Sequence, residues 1–240
     1  MRTMLILFTV ATLSLSAFAA WLFFGGPEDD PTRVKLAQYV ARIEAMKPRA
    51  EAGDAQAEFE LARLYHLGQH EAKDLPAAYR WYSKAAEKGH VGARYALGTM
   101  HAKGEAVSQD YFRAAEWYRL AASLGGSADA QVALGELYFQ GRGVPHDVAV
   151  ARDWYRKAAE RGHPVAQYRL AAMMQEGYAG KPDPVEAFKW LTLAAGQREK
   201  LKAHDPGLDP ETALNRLVKT MTQDQLARGE AAARTFQSRR

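Results

Sequence analysis

Residues 130–159 read AQVALGELYFQGRGVPHDVAVARDWYRKAA, and this stretch decides the fold. Ala130, Leu134, Leu137 and Tyr138 recur at helical spacing, which gives a first helix one apolar stripe. Gly141 can take the positive φ that ends a helix, and Gly143-Val144-Pro145 makes a turn. Asp147 stands where a carboxylate caps the next helix. That second helix carries Ala151, Trp154, Tyr155, Ala158 and Ala159 on its packing side and stops at Gly162. Two helices of about 13 residues with short connections account for the whole unit.

The unit recurs outward in both directions. Trp81, Trp117, Trp154 and Trp190 lie 36, 37 and 36 residues apart. Leu61, Leu97, Leu134 and Leu170 keep the same phase, as do Gly68, Gly104, Gly141 and Gly177, and Asp74, Asp110, Asp147 and Asp183. A period of this size means stacked supersecondary units, none of which buries its stripe alone. Ala57, Ala93, Ala130 and Ala166 form one small-residue column, and Ala78, Ala114, Ala151 and Ala187 another, so neighbouring helices can approach closely. The one extra residue falls at Gly125-Gly126-Ser127, between units, where a loop absorbs it.

Two motifs carry a family resemblance: Ala130-x(3)-Leu134-Gly135-x(2)-Tyr138-x(2)-Gly141, and Trp154-Tyr155-Arg-Lys157-Ala158-Ala159. The second is matched by Trp81-Tyr82-Ser-Lys84-Ala85-Ala86, whereas Trp117-Tyr118 is followed by Arg119-Leu120 and Trp190 by Leu191. The chain resembles the Sel-one-like repeat (SLR) family, a relative of the tetratricopeptide repeats. The resemblance implies an all-α, right-handed superhelical solenoid of antiparallel helix pairs, four units long, that holds partner proteins. Some members staple each repeat with a cysteine pair; this chain has no cysteine, so that feature does not carry over.

Five segments are expected. Residues 1–24 form an apolar amino-terminal helix and 25–31 a polar linker in which Asp30 can cap a helix opened by Pro31. Residues 32–51 form a capping helix with Leu36, Val40 and Ile43 on one face, beside Tyr39 and Met46. Four repeats fill 52–196. The segment 197–240 holds a polar loop over 197–208 and then capping helices, the last opened by a Thr222-to-Gln225 capping box. Met4 to Phe24 is an uncharged apolar run long enough to span a bilayer. We favour an uncleaved anchor, since the run continues past Ala17-Phe18-Ala19, the site at which a signal peptide would be cut. Arg2 before it and Glu28, Asp29 and Asp30 after it favour single-pass anchoring in the inner membrane with the repeats in the periplasm. A cleaved, soluble periplasmic or secreted protein is the alternative.

Composition and motifs bound the function. A net charge of +4 with interleaved signs lacks the basic stripe of a nucleic-acid binder. Sequence motifs for a catalytic serine, a zinc protease or a phosphate loop are missing, so no enzyme, cofactor or metal site is expected. An envelope enzyme acting on cell-wall material is the weaker alternative, with no residue in its favour. His66 and His70, followed by Glu71, have a two-histidine spacing, but Gly68 breaks the helix between them. His90 and His163 share one repeat position and read as a structural slot.

What the repeats do not share is the face of each first helix opposite its core stripe. It carries Phe59 and Arg63, then Tyr95 and Thr99, then Glu136 and Phe139, then Tyr168 and Gln175. In the resembled family this is the inner, concave side, and an aromatic row there would anchor a helix or extended segment of a partner. The competing reading packs those rings between adjacent repeats or against the caps. The expected function is an interaction scaffold or adaptor of the cell envelope.

Overall fold

The computed structural model describes residues 31–68, 73–178 and 180–236. The expected apolar helix and linker as far as Asp30, together with His70 and Glu71, lie outside the described residues. Among the described residues there are twelve helices and no strand. They fall into two compact units, the first ending at His90 and the second beginning at Val91.

The first unit holds α1 (Pro31–Glu51), α2 (Ala55–Leu67) and α3 (Leu75–Glu87). Helix α1 covers α2 with Tyr39, Ile43 and Ala50, all buried. The Tyr39 hydroxyl donates to the Leu64 carbonyl at 2.8 Å. Burial first, then the Tyr65 and Asp74 charges, push that phenol up to about 12.

The second unit holds α4 (Val91–Lys103), α5 (Tyr111–Leu124), α6 (Ala128–Gln140), α7 (Val148–Glu160), α8 (Pro164–Glu176) and α9 (Pro184–Ala195). It closes with α10 (Arg198–His204), α11 (Pro210–Val218) and α12 (Gln223–Thr235). Each helix pair packs together, and α5 on α6 and α7 on α8 join successive pairs. The far side of α9 is covered by α11 and α12, with Leu217 buried and Phe236 edge-on to Trp190 at 5.2 Å.

Both alanine columns and the leucine column are fully buried in all four pairs. Alanine brings no side-chain entropy cost and lets two axes approach, so the helices of each pair are held by close contact. The turn within each pair is built from one aspartate acting twice. Its carboxylate accepts the backbone N–H three residues on, at 2.8 Å for Asp74 and 3.0 Å for Asp110, Asp147 and Asp183. Its own N–H donates back to the preceding helix, to Tyr65, His101, Tyr138 and Met174 carbonyls respectively. Gly141 ends α6 at φ 66°, ψ 33°, a left-handed cap that a Cβ would disfavour. Asp209 and the Thr222–Gln225 box cap α11 and α12.

One expectation fails. The polar stretch 197–208, read as a loop, contains the helix α10. Its only buried residue is Leu201, which packs with Val165 and Leu208 against Tyr168 and Val132. A single anchor gives no apolar period, yet Arg, Glu, Lys and Leu are good helix formers, and α8 supplies the surface they need.

Candidate functional site

The expected face is present on the first helix of each pair, but its rings are half-buried rather than exposed. In the first unit Phe59 stacks on His90 at 4.2 Å and leans on Tyr82 at 5.8 Å. Arg63 is exposed, with its guanidinium 5.8 Å from the Phe59 ring. His90 in turn meets the Gln56 amide oxygen at 3.0 Å, and burial holds its imidazole below the usual range.

In the second unit Tyr95 lies 5.7 Å from Tyr118, whose hydroxyl donates to Thr99 Oγ1 at 3.3 Å. Thr99 donates to the Tyr95 carbonyl, so its hydroxyl is committed within α4 and α5. Burial pushes the Tyr118 phenol up to about 12. Glu136 is the hub of a polar cluster. It accepts the Tyr155 hydroxyl at 2.8 Å and a Gln140 amide, and Arg169 Nε lies 3.8 Å away. Arg169 also reaches Asp205 at 3.8 Å. The Tyr155 phenol is held far above its ordinary value by burial and then by the Glu136 charge. Phe139 and Tyr168 pack against the core of the last pairs, and Phe139 meets Tyr178 edge-on at 5.8 Å. Gln175 is half-buried on α8.

Periodicity finds the face but not its depth. A residue opposite the core stripe of one helix is still partly covered by the second helix of its pair and by the next pair, as Tyr95 is by Tyr118. Each unit therefore offers its own amphipathic face: a ring edge and the Arg63 guanidinium in the first, and ring edges, hydroxyls and the Glu136 carboxylate in the second. Such a face is suited to recognition, with side chains already fixed.

A second surface escaped the sequence reading. Helix α5 turns Phe112, Leu120 and Leu124 to solvent at i, i+8 and i+12, with Phe112 62% and Leu124 73% exposed. The same columns carry Lys84 and Lys157, and Lys88 and Arg161, in sibling repeats. Those lysines matter: Lys84 Nζ lies 4.1 Å from the Trp81 ring centre and Lys157 Nζ 4.2 Å from that of Trp154. Leu120 removes this cation from Trp117 and leaves an apolar outer stripe. The departure at Arg119-Leu120 was the available signal.

Of the histidines, His66 lies on α2 with its ring 5.8 Å from Tyr82. The described groups placed to share a metal ion are instead Asp129, His163 and His204, all in the second unit.

The sequence profile of the Sel1 repeat matches residues 55–90, 91–126, 128–163 and 164–198. A crystal structure of a Sel1 repeat protein from Oxalobacter formigenes is 26% identical, with a TM-score of 0.65 over 84% of this chain and 80% of that one. The c5321 protein, a protective antigen present in uropathogenic Escherichia coli strains displaying an SLR fold, is 27% identical, with a TM-score of 0.51 over 91% of this chain. The match spans only 51% of c5321. No curated protein gave a match.

Proposed function

The chain belongs to the Sel1 repeat family, and from that premise we propose that it is a scaffold of the cell envelope, binding a protein partner on the face of its first helices. Proteins of this family are in general protein-interaction scaffolds. One observation carries the reading for this chain. The two alanine columns and the leucine column repeat unchanged, while the column facing away from them runs Arg63, Thr99, Glu136, Ala172. Packing accounts for part of that variation, since Thr99 and Glu136 each accept a tyrosine hydroxyl from the second helix of the pair; the charge and size it presents at Arg63 and Glu136 suit a specific partner. In the first unit the anchors are Phe59 and Arg63; in the second they are Tyr95, Thr99, Glu136, Phe139, Tyr168 and Gln175. A helix or extended segment bearing apolar side chains and a cation opposite Glu136 fits the second group.

The envelope assignment rests on the sequence outside the described residues. Residues 4–24 are apolar and uncharged, with Arg2 before them and three acids after. No described helix is long and apolar enough to cross a membrane, so the anchor would be that run. Cleavage after Ala19 would instead release a soluble protein, and extraction with and without detergent separates the two forms.

The outer stripe of α5 supports a second docking face. The test is crosslinking capture by the full-length protein against two variants. Thr99→Arg with Gln175→Arg blocks the first-helix face. Leu120→Lys with Leu124→Arg gives the α5 stripe the residues its sibling repeats carry. A protein held by the wild type and lost only with the first variant supports the proposal. Loss only with the second moves the partner to α5. Equal capture by all three sinks both docking faces.

A further inference from the structure

We propose that Asp129, His163 and His204 form a binding site for a divalent transition-metal ion of the zinc class. The three come from different elements: Asp129 from the first turn of α6, His163 from the cap of α8, and His204 from the end of α10. One donor atom from each lies within 4.8 Å of the other two. Asp129 Oδ1 and His163 Nε2 are already 3.1 Å apart, close to the separation of two ligands sharing one zinc ion at about 2.0–2.2 Å. The His163 and His204 rings have centroids 5.1 Å apart. His204 is exposed, so a small rotation of its side chain closes the remaining gap.

The repeat supplies its own comparison. His90 occupies the position of His163 and meets Gln56 at 3.0 Å, so the histidine itself is a structural device of the fold. In the last repeats two changes convert that device into a ligand set. An anionic aspartate stands where Gln56 stands, and α10 brings a second imidazole. The His163 side chain is 8% exposed and the Asp129 side chain 48%, so one ligand is held rigidly while the others can adjust. Two imidazoles and one carboxylate select zinc-like ions over magnesium or calcium. Three protein ligands leave a coordination position for water or a partner's donor. Binding has a structural consequence: His163 Nδ1 accepts the Ala166 N–H at a long 3.4 Å, and coordination through Nε2 moves a proton to Nδ1 and releases that bond.

The test uses untagged full-length protein in detergent, titrated with Zn2+ by calorimetry and with Co2+ by visible d–d absorption. The wild type is expected to bind a single ion, with His204→Ala and Asp129→Asn each weakening it by at least about tenfold and His90→Ala leaving it unchanged. Excess Zn2+ should raise the wild-type melting temperature and not that of His204→Ala. Metal-free melting of His204→Ala at the wild-type temperature shows that the variant is folded, since His204 is exposed. Absence of binding by the wild type overturns the proposal, as does binding indifferent to His204→Ala or lost with His70→Ala instead.

Discussion

Replacing Lys88 with alanine isolates a charge buried in the first pair. The Glu58 carboxylate is 2% exposed, with Oε1 2.6 Å from Lys88 Nζ and no hydrogen-bond partner for Oε2 among the described residues. The same ammonium donates to the Gly53 carbonyl at 2.8 Å. Lys88→Ala therefore removes one charge-assisted bond, worth about 1.5–3 kcal/mol, and one ordinary bond worth about 1 kcal/mol. Lys88 is 41% exposed, so water can enter its place and return part of this. The expected loss is about 2–3 kcal/mol, short of the roughly 3–5 kcal/mol for a fully enclosed pair. The last pair shows the neutral solution. Gln197 sits where Lys88 sits, donating to the Gly162 carbonyl at 3.0 Å and to Gln167 Oε1 at 3.2 Å. Gln167 in turn donates to the Ala159 carbonyl at 3.3 Å. Glu58→Gln should place an amide beside the corresponding Ala50 carbonyl and change stability by less than about 1 kcal/mol. In that background Lys88→Ala should cost only about 1 kcal/mol, a coupling of roughly 1–2 kcal/mol. Urea unfolding followed by far-ultraviolet circular dichroism gives all four values. A Lys88→Ala variant within about 0.5 kcal/mol of wild type refutes the reasoning, as does an equal cost with and without Glu58→Gln.

Three further outcomes follow from packing and protonation. A Cβ on Gly135 would lie 2.9 Å from Tyr155 Cε1 and 3.3 Å from the Ala151 carbonyl. Gly135→Ala should thus lose about 1 kcal/mol net of its helix-propensity gain. In a Tyr155→Leu background, which itself forfeits the hydrogen bond to Glu136, the same change should cost nothing in thermal melts, as the Ala171 and Leu191 pairing indicates. Leu201→Ala should cost about 2–5 kcal/mol and expose 198–204 to limited proteolysis; resistance equal to wild type would show that α10 has another anchor. Burial, then Arg113, hold the His101 imidazole below its ordinary 6.5. The unfolded chain then binds the proton more readily, so stability is complete above about pH 6.5 and falls as pH drops below it. His101→Tyr, the residue at this register in Tyr65 and Tyr138, should flatten that slope in melting temperature; an unchanged slope would place the titration elsewhere.

The pairs and their caps were legible because geometry dictates them. An alanine at Ala130 and a leucine at Leu134 are demanded by helix separation, and Asp147 by an unpaired backbone donor, so each recurs wherever the pair recurs. Helix α10 was not legible, since its one anchor is meaningful only once α8 lies beneath it. Depth was left open by the sequence, which allowed Phe59 and Tyr95 either an exposed row or packing, because the rings that half-cover them, Tyr82 and Tyr118, belong to other helices. Asp129 and His204 are far apart in the chain, and no local pattern joins them. The Leu120 departure was visible, but its consequence appears only when Lys84 and Lys157 are seen over their indoles.

The tryptophan column has a spectroscopic consequence. Every pair carries one indole, and the four indoles have three kinds of surroundings. Trp190 is buried beneath Phe236 with the Lys189 ammonium 4.3 Å from its ring, Trp81 and Trp154 lie less buried beside an ammonium, and Trp117 has no lysine at that register. Variants that keep Trp117, Trp190 or one of the lysine-flanked pair would therefore emit differently, so the molecule contains its own set of fluorophores. With them, the loss of each pair could be timed separately during unfolding, and cooperativity along the chain could be measured without adding a dye.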